Sequence, residues 1–218
     1  MGVDVPTKEF AGFGERLVDF YDGLEADNSK AYWTDSRPVY DEHVRAPMEA
    51  LLAVLEPEFG KGKIFRPYRD VRFSADKTPY KTHCGATVGP FYVQVSAEGL
   101  MVAGGYYQMA GDQIARYRVA VDEDRRGDDL GRRLRKLEKA GLTVAGDKLK
   151  TRPRGFDEEH PRIELLRHRS LYAWRRWAGD DLLLEPDLAQ EVATNWRVLR
   201  PLTEWLVDHV GPSEQPRR

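Results

Sequence analysis

The side chains best suited to hold a charged molecule are concentrated between Lys63 and His83. This stretch reads KIFRPYRDVRFSADKTPYKTH and opposes six cations to two acids, Asp70 and Asp76, in a chain whose net charge is −2. The six cations are Lys63, Arg66, Arg69, Arg72, Lys77 and Lys81. Two like charges about 6 Å apart repel by roughly 2.8 kcal/mol at an effective dielectric constant of about 20. If the cations converge, either acids from other segments or a bound anion must offset that repulsion.

The residue types in this stretch allow two interpretations. The planar guanidinium of arginine matches phosphate or carboxylate oxygens two at a time, whereas lysine offers a movable point charge. Four interleaved aromatic residues could pack beneath a bound group or anchor the backbone; they are Phe65, Tyr68, Phe73 and Tyr80. In the other interpretation, Arg69 and Arg72 form an internal brace of ion pairs, because structural networks also concentrate charge.

The spacing of this stretch resembles the signature of a mostly bacterial family, domain of unknown function 2461. The resemblance rests on Arg66-x-x-Arg69-Asp70-x-Arg72-Phe73-x-x-Asp76-Lys77-x-x-Tyr80. It extends to Leu24–Trp33 (LEADNSKAYW), Gly104-Gly105-Tyr106 and Leu149–Pro161 (LKTRPRGFDEEHP), and so covers most of the chain. Where the family pattern has paired asparagines, this chain has Asp27-Asn28. The resemblance implies that these segments work together and implies no particular activity or cofactor.

Catalysis would require an acid or base beside these cations, and His83 is the candidate, with Asp70 as the group that orients it. A thiol nucleophile at Cys84 is disfavoured, because adjacent residues on a strand face opposite ways. His160 and Glu164 have helical spacing but no third ligand nearby, so we expect no metal site. The sequence specifies no cofactor.

A second basic stretch alternates Lys148, Lys150, Arg152 and Arg154 with uncharged residues. If extended, it presents four cations on one face, either for an anion or as a charged edge strand that prevents aggregation. The residues predicted to contact an anion are Arg66, Arg69, Arg72, Lys77, Tyr80, Lys81, Lys150, Arg152 and Arg154.

Composition is that of a globular protein, with 41% hydrophobic and 32% charged residues among 218. A single cysteine, Cys84, excludes an intramolecular disulfide and favours a reducing compartment. No secretory signal or membrane-spanning run of roughly 18 apolar residues is evident. We therefore expect a cytoplasmic protein with no membrane partner, built as one domain over residues 1–210 with a mobile tail over 211–218.

The elements that must position these residues follow from hydrophobic spacing. Phe13, Leu17, Phe20 and Leu24 share one helical stripe, and Asp27-Asn28-Ser29 predicts a turn and cap before a second helix. We expect Pro38 in the first turn of a helix and a kink or restart at Pro47.

The rest of the chain combines strands with further helices. Phe91–Val95 and Leu100–Ala103 predict a hairpin, and Ala86–Val88 a neighbouring strand. Arg69–Tyr80 fits either a strand or, from Ser74 to Pro79, a loop. Two helices should be separated near Arg126-Gly127, and Asp157–His160 should open another. A strand at Leu171–Trp174 and a long helix from Leu188 to Leu206 complete an α+β domain with a largely antiparallel sheet.

Three functions stay open from sequence alone. The first is binding of an anionic small molecule, phosphorylated or carboxylated, extended to an enzyme on a phosphate-containing substrate if His83 or Asp70 takes part. The second is a nucleic-acid-binding module, against which the net charge of −2 counts. The third is a structural or partner-binding protein with an internal arginine brace. The sequence leaves the oligomeric state open.

Overall fold

The computed structural model describes residues 10–72, 74–179 and 181–214. Phe73 of the basic stretch and residues 215–218 of the predicted tail lie outside the described residues. The longer helices are α1 (Glu15–Ala26), α2 (Lys30–Tyr40), α3 (Ala46–Phe59), α4 (Gly111–Asp122) and α5 (Asp124–Lys139). Two short helices, α6 (Ile163–Leu166) and α7 (Asp181–Leu184), precede the long α8 (Leu188–His209).

Six strands form one sheet: β1 (Lys63–Ile64), β2 (Cys84–Val88), β3 (Phe91–Ser96), β4 (Gly99–Tyr106), β5 (Thr143–Ala145) and β6 (Leu171–Ala178). Their order is β1-β2-β3-β4-β6-β5. The pairs β1/β2, β2/β3 and β5/β6 are antiparallel, with registers such as Ala86 opposite Val93 and Val144 opposite Ala173. The predicted α+β class with a largely antiparallel sheet is confirmed, as are the hairpin, its neighbouring strand and the long final helix.

The chain divides into two compact units that are not continuous in sequence. The first unit comprises residues 1–102 and 176–194, and the second comprises residues 103–175 and 195–218. In the first unit, α1 buries Leu17, Phe20 and Leu24, the stripe that its spacing predicted. In the second unit, α5 buries Leu130, Leu134 and Leu137 on one face and exposes its charges on the other.

Pro38 and Pro47 occupy different positions in their helices. Pro38 lies near the end of α2, so its predicted place in a first turn was wrong. The reason is that Ser29, whose hydroxyl accepts a hydrogen bond from Tyr32 N at 3.2 Å, starts the helix well before the proline. A π-helical turn at Asp41–Arg45 follows, and Pro47 then lies in the first turn of α3, as a restart requires.

The boundary between α4 and α5 falls at Glu123 rather than at Arg126-Gly127, where it was predicted. The Glu123 carboxylate accepts hydrogen bonds from Arg125 N at 3.1 Å and Arg126 N at 3.0 Å, and so caps α5. Gly127 is needed inside the helix, because a Cβ there would lie 2.2 Å from the backbone oxygen of Val121 and 2.6 Å from the Arg162 side chain.

One loop segment of the second unit also differs from expectation. Asp157–His160 forms a turn, and the helix that it was predicted to open begins only at Ile163. At the C-terminus, Asp112 of α4 accepts hydrogen bonds from Ser213 Oγ and Glu214 N, each at 2.9 Å. The division into one domain and a mobile tail stays a prediction.

Candidate functional site

The basic stretch forms a loop closed at its base by two strand-like segments. Arg69 N donates to Pro79 O at 2.9 Å, and Lys81 N donates to Pro67 O at 2.8 Å, on either side of the antiparallel bridge between Tyr68 and Tyr80. Between these segments the backbone forms no strand in its described part. The loop alternative for Ser74–Pro79 is therefore confirmed, and the strand alternative was wrong.

An aromatic group anchors this loop from one side. The Tyr80 ring is buried and stacks on Trp33 of α2, with ring centroids 4.5 Å apart and planes 10° apart. Tyr68 packs against both rings, at 5.3 Å from Tyr80 and 5.9 Å from Trp33. Burial raises the pKa of the Tyr80 hydroxyl. The structure thus gives Tyr80 a packing role, while contact with a ligand stays a prediction.

Asn28, in the turn between α1 and α2, fixes the backbone of the loop. Its side-chain amide donates to Tyr80 O at 3.1 Å, and its carbonyl oxygen accepts from Tyr80 N at 3.0 Å. The amide side chain thus pairs with Tyr80 as a neighbouring strand would. Since Ser29 caps α2 and α2 carries Trp33, this turn sets both the ring stack and the backbone of the basic stretch.

Two arginines of the loop are paired with its own acids. Arg72 makes a bidentate contact with Asp70, with Nε to Oδ1 at 2.9 Å and Nη2 to Oδ2 at 2.6 Å. The hydrogen bond from Arg72 lowers the pKa of Asp70 to about 2.

Arg69 hydrogen-bonds to Asp76 and to the Thr78 hydroxyl. The Asp76 carboxylate accepts hydrogen bonds from Thr78 N, which has the larger effect, and from Arg69; together they lower its pKa to about 2. Lys77 Nζ donates to Val71 O at 3.0 Å. These contacts brace the loop from inside.

Arg66, Arg69, Lys81 and His83 form a group of neighbouring cationic or titratable side chains, here called the Lys81 cluster. Lys81 Nζ lies 5.3 Å from the centre of the Phe65 ring. Its pKa is lowered by partial burial and by the charge of Arg66. The pKa of His83 is lowered by burial, by Lys81 and by Arg69. Beyond the effect of burial, these shifts indicate that positive charges lie near Lys81 and His83.

Exposure distinguishes Lys81 and His83 from the buried residues at either end of this segment. Tyr80 and Cys84 are 4% and 2% exposed, whereas Lys81 and His83 have intermediate exposure. Lys81 and His83 are therefore partly accessible to solvent, while Tyr80 and Cys84 belong to the packed interior.

The catalytic candidates have distinct surroundings. Asp70 hydrogen-bonds to Arg72, and the charges that lower the pKa of His83 come from cations. His83 is therefore held towards its neutral form, which can accept a proton. Cys84 is buried, which raises the pKa of its thiol to about 12 and keeps it from acting as a thiolate.

The second basic stretch does not form the extended cationic face that its alternation predicted. It forms no strand; Lys148 makes only an isolated bridge to His168, and Lys148 Nζ lies 3.6 Å from Glu164. Arg152 donates to Phe156 O at 2.8 Å and borders a cleft of about 820 Å³ that it shares with several acids. Those acids are Asp122, Asp157, Glu158 and Glu159.

The alternation of charged and uncharged residues alone cannot make a strand, because a strand also needs a neighbouring backbone to pair with. Lys150 and Arg154 are exposed, and anion contact by Lys150, Arg152 and Arg154 stays a prediction.

Across residues 10–72, 74–179 and 181–214, no group of three or more His, Cys, Asp or Glu side chains could hold a metal ion. In the same ranges, no helix is both long and apolar enough to cross a membrane.

Comparison with known proteins identifies a family and nothing more specific. A family model described as conserved hypothetical protein (DUF2461) matches residues 16–205. That span includes the Asn28 turn, the basic stretch and the Lys81 cluster. Neither curated proteins nor solved structures gave a significant match.

Proposed function

This chain belongs to the DUF2461 family of conserved hypothetical proteins, and we propose that it binds a small phosphorylated or carboxylated molecule at the Lys81 cluster. One observation carries the proposal: Lys81 is partly buried, and its pKa is lowered by that burial and by the charge of Arg66, while Lys81 and Arg69 in turn help to lower the pKa of His83. Within the described residues, Arg66 and Lys81 form no ion pair with a carboxylate. A bound anion would offset this concentration of positive charge.

The cations of the loop have separate tasks in this proposal. Arg69 and Arg72 are occupied by Asp76 and Asp70, so they hold the loop in shape. Arg66 and Lys81 supply the ligand contacts. The tip of Lys81 is already placed by the Phe65 ring, which reduces the entropy lost when it binds.

His83 gives the proposed site a pH dependence. Its pKa is lowered in the free protein, and a bound anion would raise that pKa by offsetting Lys81 and Arg69. Binding is then coupled to proton uptake, so affinity should increase as pH falls below the ordinary histidine pKa of about 6.5 towards the lowered pKa of the free protein. In an enzymatic version, His83 is the acid or base acting on a phosphate-containing substrate, and the ligand lies directly beside it.

The ion pairs of Arg69 and Arg72 favour the brace alternative for these two residues. For Lys81, the brace and the binding site predict opposite effects of its removal on the stability of the free protein. A brace loses stability when one of its members is removed, whereas an uncompensated cation is expected to cost stability in the free protein. Nucleic acid is a weaker candidate, because Asp129 already pairs with Arg132 and Arg133 on the basic face of α5. We also propose a cytoplasmic location, based on the single buried cysteine.

Thermal unfolding with inorganic phosphate, sugar phosphates, nucleotides and short oligonucleotides tests the proposal. A ligand at 100 times its dissociation constant adds about 2.7 kcal/mol to the free energy of unfolding. Lys81→Ala and Arg66→Ala should abolish this stabilisation while leaving the free protein as stable as the wild type or slightly more so.

Lys63→Ala is the matched control, because it removes one exposed positive charge from the same stretch, outside the cluster. It should leave ligand stabilisation nearly unchanged. Equal stabilisation of the Lys81→Ala and wild-type proteins, or no stabilisation by any small anion, would refute the proposed site. Stabilisation by oligonucleotides alone, steeply reduced by salt, would favour a nucleic-acid function instead.

A further inference from the structure

A cleft of about 780 Å³ lies in the second unit among α5, β5 and α6. Its volume is within the range of pockets for small molecules, about 300–1,000 Å³. On α5 the cleft is bordered by Gly127, Gly131, Leu134, Arg135 and Glu138, which share one helical face. The two glycines place no side chains into this space, so the helix backbone itself forms part of the wall.

His168, which also borders the cleft, is 2% exposed, and one of its ring nitrogens has no hydrogen-bond partner among the described residues. Its Nδ1 lies 2.8 Å from Ser170 O. A carbonyl oxygen only accepts, so Nδ1 must carry the proton of this hydrogen bond. Burial lowers the pKa of the ring to about 4, which leaves it neutral at neutral pH. Nε2 therefore presents a lone pair.

The lone pair of Nε2 is open to the cleft. Among the described residues, Nε2 accepts no hydrogen bond from the protein. The buried polar side-chain atoms that lack a partner are Tyr21 Oη and Trp33 Nε1, so Nε2 is not sealed inside the fold. Gly146 allows the backbone to pass close to this ring, because a Cβ there would lie 2.9 Å from His168 Nδ1 and 2.1 Å from Ser170 O.

The charges around the cleft indicate what else a ligand would carry. Lys148 is 3.6 Å from Glu164, and Arg162 is 3.1 Å from Asp128, so these cations are already paired. Arg135 is exposed, and its Nη1 lies 3.4 Å from the position of a Cβ on Gly131, which places the guanidinium over the glycine wall. Within the described chain, Arg135 forms no ion pair.

We propose that this cleft is a second binding site, separate from the Lys81 cluster, for a small hydroxylated or aminated organic anion. The hydroxyl or amino group of the ligand donates to His168 Nε2, and its carboxylate or phosphate pairs with Arg135. Water can donate to Nε2 in the free protein, whereas a ligand that covers this acceptor without supplying a donor leaves it unpaired, which is unfavourable. The site therefore discriminates against anions that lack a donor.

Lactate and propionate test this directly, because they differ by one hydroxyl group; glycerol 3-phosphate serves as a larger probe. Nitrogen NMR of the histidine rings reports on Nε2, and the spectrum of His168→Asn identifies the His168 signal. Lactate and glycerol 3-phosphate should shift that signal, and propionate should bind about tenfold more weakly than lactate. The expected factor corresponds to about 1.4 kcal/mol for one hydrogen bond.

Two variants, one that removes the acceptor and one that fills the cleft, test the proposal in different ways. His168→Asn keeps a donor for Ser170 O and removes the Nε2 acceptor, so it should lose the preference for lactate. Gly131→Leu fills the cleft from a position of intermediate exposure on α5 and should abolish every probe-dependent shift of the His168 signal while the protein remains folded by circular dichroism. Lys63→Ala, which lies outside both sites, should leave those shifts unchanged. An unshifted His168 signal in the wild type, equal affinities of lactate and propionate measured at that signal, or unchanged shifts in Gly131→Leu would each overturn the proposal.

Discussion

Acid stability offers the most direct test of the buried, neutral state of His168. The pKa of this ring is about 4 in the fold, whereas an unfolded histidine titrates near 6.5. The unfolded chain therefore takes up the proton first as pH falls. The stabilising effect of keeping the ring neutral is complete above about pH 6.5 and is lost progressively towards pH 4. Below that range the native ring must also become charged inside the protein.

The size of the effect follows from the difference between the two pKa values. Stability changes by up to about 1.4 kcal/mol per pH unit within this window. Between about pH 7.5 and pH 5, the contribution of His168 should amount to about 2 kcal/mol. His168→Asn removes the titrating group, so the pH dependence of its unfolding free energy should be shallower than that of the wild type by that amount.

Urea unfolding followed by tryptophan fluorescence at several pH values measures this difference. The pKa of His83 is also lowered in the fold, but His83 is present in both proteins and its contribution cancels in the comparison. Gly131→Ala alters the same cleft without removing a titrating group and should keep the wild-type pH dependence. Parallel curves for the wild type and His168→Asn would show that the ring is not held neutral by burial.

Three further predictions concern single residues. Asn28→Ala should lower the free energy of unfolding by about 1–3 kcal/mol, because both backbone groups of Tyr80 lose their partner; unchanged urea unfolding would contradict this. Gly99→Ala should destabilise strongly, since a Cβ there lies 2.1 Å from a backbone oxygen at a φ of +116°. Gly89→Ala, at a φ of +55° with open space around it, should have a smaller thermal effect, and equal effects would contradict the steric argument. Gly131→Ala should stabilise by about 0.5–1 kcal/mol, because alanine favours the helix interior and its Cβ meets only Arg135 Nη1 at 3.4 Å; a lower melting temperature would contradict this.

The elements that hydrophobic spacing defines were predictable from sequence. The stripe on α1, the β3/β4 hairpin and the long α8 all bury the residues that their periodicity marks. Such patterns suffice because burial of a regular face is a local property of the sequence. The Ser29 cap was predictable for the same reason, since the capping contact spans only three residues.

Features that depend on distant partners were not predictable. Gly127 looked like a helix break, but it lies inside α5, and a Cβ there would meet both Val121 O and the Arg162 side chain. The alternating cations from Lys148 to Arg154 looked like a strand, but no continuous partner backbone lies beside them in the described structure. In both cases the deciding contacts include a segment that the local sequence pattern does not show.

The candidate sites likewise combine features that the local sequence indicates with features that only the fold shows. The sequence indicated the concentration of cations, but only the fold shows that Arg69 and Arg72 are engaged with Asp76 and Asp70, whereas Arg66 and Lys81 form no ion pair among the described residues. His168 carried no signal of its own. The glycine pair Gly127 and Gly131, one helical turn apart in an otherwise highly charged helix, was the feature that could have drawn attention to the cleft.

The contact between Asn28 and Tyr80 spans 52 positions, and this has a consequence for the order of folding. Closing so long a segment costs chain entropy before any contact is gained. Helices α1 and α2 can form early from neighbouring residues, whereas the cation-bearing loop can take its final shape only once Tyr80 has reached the Asn28 turn. The candidate site should therefore mature after the helices that support it, and during synthesis it cannot assemble until the ribosome has released the chain beyond Lys81.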